Sequence, residues 1–168
     1  MRMLLLLVLL VGFQVGFGQK IGYIEVDQIL LKMDSFKIAG DQINESVKLW
    51  ETEIEARFQQ VEDLYQDYVM NESQMNDQQK KEKQNQIFQA ERQANEFKES
   101  KFGQQGELMQ IQEEKLKPIY DSIFETTEKV AQKKGMDYVF EKTAESTWIY
   151  TNPSLNLTEE VIEALGIK

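Results

Sequence analysis

The sequence predicts an α+β chain, a small β-containing body carrying a long, projecting antiparallel helical hairpin. Three observations predict it. Between residues 35 and 117 two long arms repeat apolar residues at alternating steps of three and four, closer to a heptad seam than to a globular 3.6-residue stripe. A short polar stretch with a helix-restart signature separates the arms. Clusters of β-branched and aromatic residues lie only toward the two ends of the chain. An arm of roughly 40 residues would reach about 60 Å at about 1.5 Å per residue, too long to fold back over a small core.

Residues 1–18 read as an export signal. Arg2 supplies the positive start, Met3 to Val15 the apolar run, and Gly16-Phe17-Gly18 the small residues before a cleavage site. Gln14 interrupts the run, which falls short of the ~20 apolar residues of a spanning helix, so cleavage after Gly18 is favoured over a membrane anchor. Residues 19–34 and 118–168 are assigned to the body and residues 35–117 to the hairpin. In the body, Ile21, Tyr23, Ile24 and Val26 make a strand, and Asp27 is placed to cap a short helix from Gln28 to Lys32. Asp34 or Ser35 then caps the first arm, with Phe36 as its first apolar contact.

The first arm's seam is Ile43, Val47, Trp50, Ile54, Val61, Leu64, Tyr68 and Met75, broken only by Arg57. After the tip, Asn71-Glu72-Ser73-Gln74, the pair Asn76 and Gln79 resembles a capping box. The second seam runs Ile87, Ala90, Ala94 and Phe97, then the polar Lys101 and Gln104, then Leu108 and Ile111. Pro118 should kink or restart the helix where it enters the body, with Ile119, Ile123, Phe124 and Val130 facing inward. Lys133-Lys134-Gly135 is a helix stop. Tyr138-Val139-Phe140 and Trp148-Ile149-Tyr150 are expected as two antiparallel strands, ended by Asn152-Pro153. Thr158 should cap a last helix, Glu159 to Leu165, with Gly166 ending it. So small a body leaves sheet edges unpaired, for which oligomerisation is the simplest remedy.

Composition narrows the functions. The 168 residues are 41% hydrophobic and 29% charged, with a net charge of −10. Removing Arg2 with the signal leaves 18 of the 19 basic residues against 29 acidic ones, or −11. Nucleic acid and anionic lipid both call for a basic footprint, and this chain has the opposite. The absence of Cys excludes disulfides and thiolate metal sites, and the absence of His removes the commonest general base. The carboxylates are spaced to pair with Lys along solvated helix faces, so enzyme activity is not expected.

Three segments carry a resemblance: KIGYIEVDQIL after the signal, VAQKKGMDYVFEK at 130–142, and WIYTNPSLNLTEEVIEALGIK from 148 onward. With the order strand, hairpin, KPI, strand pair and terminal helix, they resemble the Skp/OmpH family of periplasmic chaperones. The resemblance implies an ATP-independent, cofactor-free homotrimer in the periplasm. Its three hairpins would surround a cavity that holds unfolded outer-membrane proteins. Better-known relatives carry cationic patches suited to anionic lipid; strong direct binding to anionic membranes is not expected of this acidic chain. The competing class is a structural coiled-coil spacer or tether of the cell envelope.

Beside the seam, Phe58 and Tyr65 flank the first arm, and Phe88, Phe102, Met109 and Leu116 the second. Phe58, Tyr65, Phe88 and Phe102 are candidate client contacts, or alternatively they only widen the buried stripe. Met109 and Leu116 are assigned to packing. Tyr138, Phe140, Trp148 and Tyr150 are assigned to the core or to contact between subunits. Gly103 and Gly106 are candidate hinge residues, where alanine is expected to raise thermal stability.

Overall fold

The computed structural model describes residues 18–143 and 145–167. The export-signal reading falls on residues 1–17, which lie outside the described ones. The chain divides into two compact units, Met33–Asp121 and a second made of both chain ends, up to Lys32 and from Ser122 onward.

In the first unit the seam produces a long helix, α2 (Asp34–Asn71), a 3-10 turn over Glu72–Gln74, and α3 (Asp77–Phe102). Neither Asp34 nor Ser35 caps α2. Met33 holds the cap position in extended conformation without a side-chain bond, and Asp34 lies in the first turn, where its charge suits the helix dipole. At the tip the capping box is present: Asn76 Oδ1 accepts the Gln79 amide at 2.9 Å, and Gln79 Oε1 accepts the Asn76 amide at 2.9 Å. Gln84 Nε2 donates to the Tyr68 hydroxyl at 2.9 Å, and Trp50 meets Phe102 edge-on. Both pairings centre on residue 76, since 68 and 84, like 50 and 102, lie equally far from it. Ile43, Tyr68 and Ala94 are buried.

The second arm is interrupted at residues 103–106, and α4 (Glu107–Lys134) follows. It runs through Pro118 without a restart. Proline removes one amide donor, that owed to the Glu114 carbonyl, while the Lys117–Asp121 ion pair at 2.8 Å braces the same stretch.

In the second unit β1 (Ile21–Ile24) pairs in parallel with β2 (Tyr138–Glu141), Ile21 opposite Tyr138 and Ile24 opposite Glu141. The antiparallel pair expected with Trp148–Tyr150 is not formed. The other edge of β1 is taken by a bridge to Asn156, with the Leu157 amide donating to the Tyr23 carbonyl at 2.8 Å. Residues 148–150 form no strand beside β2; Trp148 instead packs its ring against Phe140, and Ile149 is fully exposed.

The short helix α1 (Val26–Lys32) begins one residue before Asp27, because the Glu25 carbonyl already accepts the Gln28 amide at 3.0 Å. The last helix, α5 (Thr158–Ala164), has Thr158 inside it, not capping it. The buried Thr158 hydroxyl accepts the Glu25 amide at 2.9 Å, satisfying the donor left where the ladder of β1 ends. The expected glycine stops are present, Gly135 at φ 65° and Gly166 at φ 73°. Val26, Ile29, Ile123, Leu157 and Val161 are enclosed almost completely. Phe124, expected beside them, is half exposed. The step of four from Ile123 leads to buried Thr127 instead, and Thr127 donates to the Ile123 carbonyl at 2.7 Å.

Candidate functional site

The two cations that interrupt the seam are absorbed by its aromatic rings. Arg57 lies 4.3 Å from the centre of Phe97, and Lys101 sits 5.2 Å from Phe97 and 5.3 Å from Trp50. Glu53 pairs with Arg57 at 2.8 Å, and Glu107, the first residue of α4, pairs with Lys101 across the break. Neither stack was visible from one arm alone; each needs the register between two.

One atom is left over, since Arg57 Nε is buried without a partner. A polar group left unsatisfied costs about 1–3 kcal/mol. The cation–π contact returns about 0.5–1 kcal/mol. The part-exposed Glu53 pair adds about 0–1 kcal/mol. Arg57→Leu is therefore expected to raise the urea midpoint, by about 1 kcal/mol of stability. An unchanged or lower midpoint would show the stack to be the stronger term.

Phe102 belongs to this packing. Its ring meets Trp50 at 5.9 Å and 88°, which separates it from the other three candidate contacts. Phe58 is 36% exposed, Tyr65 53% and Phe88 60%. Val69, four residues beyond Tyr65, is 53% exposed, and sequence reasoning missed it although its i,i+4 spacing was available. Folding about residue 76 sets Phe88 at the level of residue 64, beside Tyr65. An apolar patch thus lies open on both arms at one level. Met109, assigned to packing, is also exposed, while Leu116 is partly covered.

At the tip, Asp67 takes Lys83 Nζ at 2.7 Å, and that bond holds its carboxyl below the ordinary carboxylate range. A carboxyl depressed in the fold stabilises it fully above the unfolded pKa, and the contribution is lost as pH falls through the folded value. Asp67→Asn should therefore melt below wild type at about pH 7 and together with it at about pH 2. Helix signal against temperature at the two pH values checks this; a gap persisting in acid would refute it.

In the other unit, Tyr138, Phe140, Trp148 and Tyr150 are not core. Tyr138 stacks on Phe140 at 6.5 Å, Phe140 meets Trp148 at 6.1 Å, and all four are substantially exposed. With Ile21, Tyr23 and Leu155, the last three of these line an apolar groove of about 270 Å³. Among the described residues no group of His, Cys, Asp or Glu is arranged to hold a metal, and no helix is long and apolar enough to cross a membrane.

The family model for outer membrane protein (OmpH-like) matches residues 20–165. The chain belongs to the OmpH-like family. No curated protein matches it by sequence. Among solved structures, the OmpH-like fold is shared with a Caulobacter crescentus protein assigned as an OmpH-like outer membrane chaperone. The TM-score is 0.69 at 11% identity, covering 92% of this chain and 89% of the other. At that identity the likeness is one of fold. The small sheet and long helical hairpin expected from the sequence are the architecture of this family.

Proposed function

We propose that this OmpH-like chain is an exported, ATP-independent holdase chaperone that keeps unfolded outer-membrane proteins soluble in the periplasm, acting as a homotrimer without a cofactor. The observation that carries the reading is the open apolar patch of Phe58, Tyr65, Val69 and Phe88, on a hairpin whose seam is already filled by other residues. Rings exposed beyond what packing needs are free to meet the apolar stretches of an unfolded chain through many weak contacts. Family membership and the fold of its Caulobacter neighbour support the same reading. The aromatic groove beside β2 is the surface on which further copies would close the body.

The test is dilution of a urea-unfolded outer-membrane protein into the signal-less chain, followed by light scattering. Aggregation should be suppressed near stoichiometry. The variant Phe58→Ser, Tyr65→Ser, Phe88→Ser should need several-fold more protein while keeping its helix signal. A coiled-coil spacer of the envelope would leave scattering unchanged at every ratio, and a monomer mass would remove the trimer.

A further inference from the structure

Charge is distributed unequally between the two arms. Nine acidic and three basic side chains lie on α2, against five acidic and six basic on α3. Three of the α3 cations are spent within the hairpin: Lys80 on Glu72, Lys83 on Asp67 and Lys101 on Glu107. The uncompensated charge is therefore negative and belongs to α2.

Part of it lies among the exposed rings. Glu51, Glu55, Phe58, Glu62, Tyr65 and Val69 follow one another at steps of four, three, four, three and four, forming one continuous stripe beside the seam. All six are exposed. Among the described residues Glu51 and Glu55 have no ion-pair partner, and Glu62 accepts only the Gln66 side-chain amide, at 2.8 Å. An apolar flank would accept any unfolded segment. This one sets an unpaired carboxylate within one helical turn of each ring, so an acidic segment lying on it meets repulsion while Lys or Arg meets a partner.

We infer that the α2 stripe selects its clients by charge, binding unfolded segments in which aromatic or aliphatic residues are interleaved with Lys or Arg. The selection rests on the chaperone function proposed above and specifies its substrate class. Its source is short-range pairing on a solvated helix, so it weakens as salt screens the carboxylates.

Two disordered peptides test it, identical in Phe, Tyr and Leu, one with Lys and the other with Glu at every charged position. Each is titrated into the signal-less chain by fluorescence anisotropy, at low and physiological salt. A parallel series uses the variant Glu51→Gln, Glu55→Gln, Glu62→Gln, which keeps side-chain size and helix propensity. The Lys peptide should bind wild type at least about tenfold more tightly at low salt, the preference shrinking with salt and falling to about twofold in the variant. Equal binding of the two peptides, or a preference unchanged in the variant, overturns the inference and leaves the chaperone reading intact. The same holds if neither peptide binds while an unfolded outer-membrane protein is still kept soluble. Loss of both activities removes both readings. If the Lys peptide is excluded as the mass rises with protein concentration, the stripe is a contact between copies, and the inference falls.

Discussion

Ile29→Ala should cost the unit built from the chain ends about 2–5 kcal/mol, the usual range for emptying a fully enclosed aliphatic site. Ile29 has no solvent exposure, whereas Leu31, two residues along the same short helix, is 84% exposed. The loss combines the transfer energy of the deleted carbons with a cavity that a small core closes only in part. Few side chains in this unit are enclosed to that degree, so one truncation removes a large share of a stability ordinarily about 5–15 kcal/mol for a whole domain. Urea unfolding followed by the near-ultraviolet signal of the body's aromatic cluster measures it. Leu31→Ala is the control and should move the midpoint by no more than about 0.5 kcal/mol. Equal shifts for the two variants would mean that α1 does not pack as described.

Alanine at both Gly103 and Gly106 should lower thermal stability, the reverse of what helix propensity alone suggests. A Cβ on Gly106 would stand 2.7 Å from the Lys101 carbonyl oxygen, and one on Gly103 would stand 2.5 Å from that of Glu99. Those atoms are backbone in the same tight turn, so no rotamer change relieves them. Gly103 has φ −66° and ψ 172°, allowed for any residue; the glycines are there for space, not for a left-handed backbone. Forced overpacking of this kind costs about 1–3 kcal/mol per site. The midpoint of helix melting should fall by several degrees in the double variant. A rise would show that the chain had straightened into one helix through the break. We keep the hinge as a proposal for this same turn. Bending there would have to open the Lys101–Glu107 pair, and spin labels on the two arms would report it as a broadened distance distribution that narrows when the turn is straightened.

What the sequence disclosed was local. The seam, the Asn76–Gln79 box and the stops at Gly135 and Gly166 are written within a turn or two of helix, where spacing and residue type suffice. The direction of strand pairing was not. Alternation marks Tyr138–Glu141 as a strand, yet nothing in it says that the partner is Ile21–Ile24 or that Asn156 has claimed the opposite edge. Thr158 looked like a cap because threonine often is one; its hydroxyl was needed by an amide more than a hundred residues away. The candidate contacts divided for the same reason. Phe58 and Phe102 look alike along the chain, and only the opposing arm, which presents Trp50 to Phe102, decides which ring is covered.

The parallel pairing of β1 with β2 also sets an order of events. Chains are made from the N-terminus, so Ile21–Ile24 exists long before Tyr138–Glu141, and the bond between Lys20 and Asp137 closes a loop of 117 residues. The helices of the hairpin need only neighbours close in sequence and can form while synthesis continues. The first strand must wait for β2 on one edge and for Asn156 and Leu157 on the other, with its ladder groups and Tyr23 uncovered meanwhile. A protein proposed to shelter unfinished polypeptides thus passes through an unfinished stage of its own, and truncation before Tyr138 would hold it there.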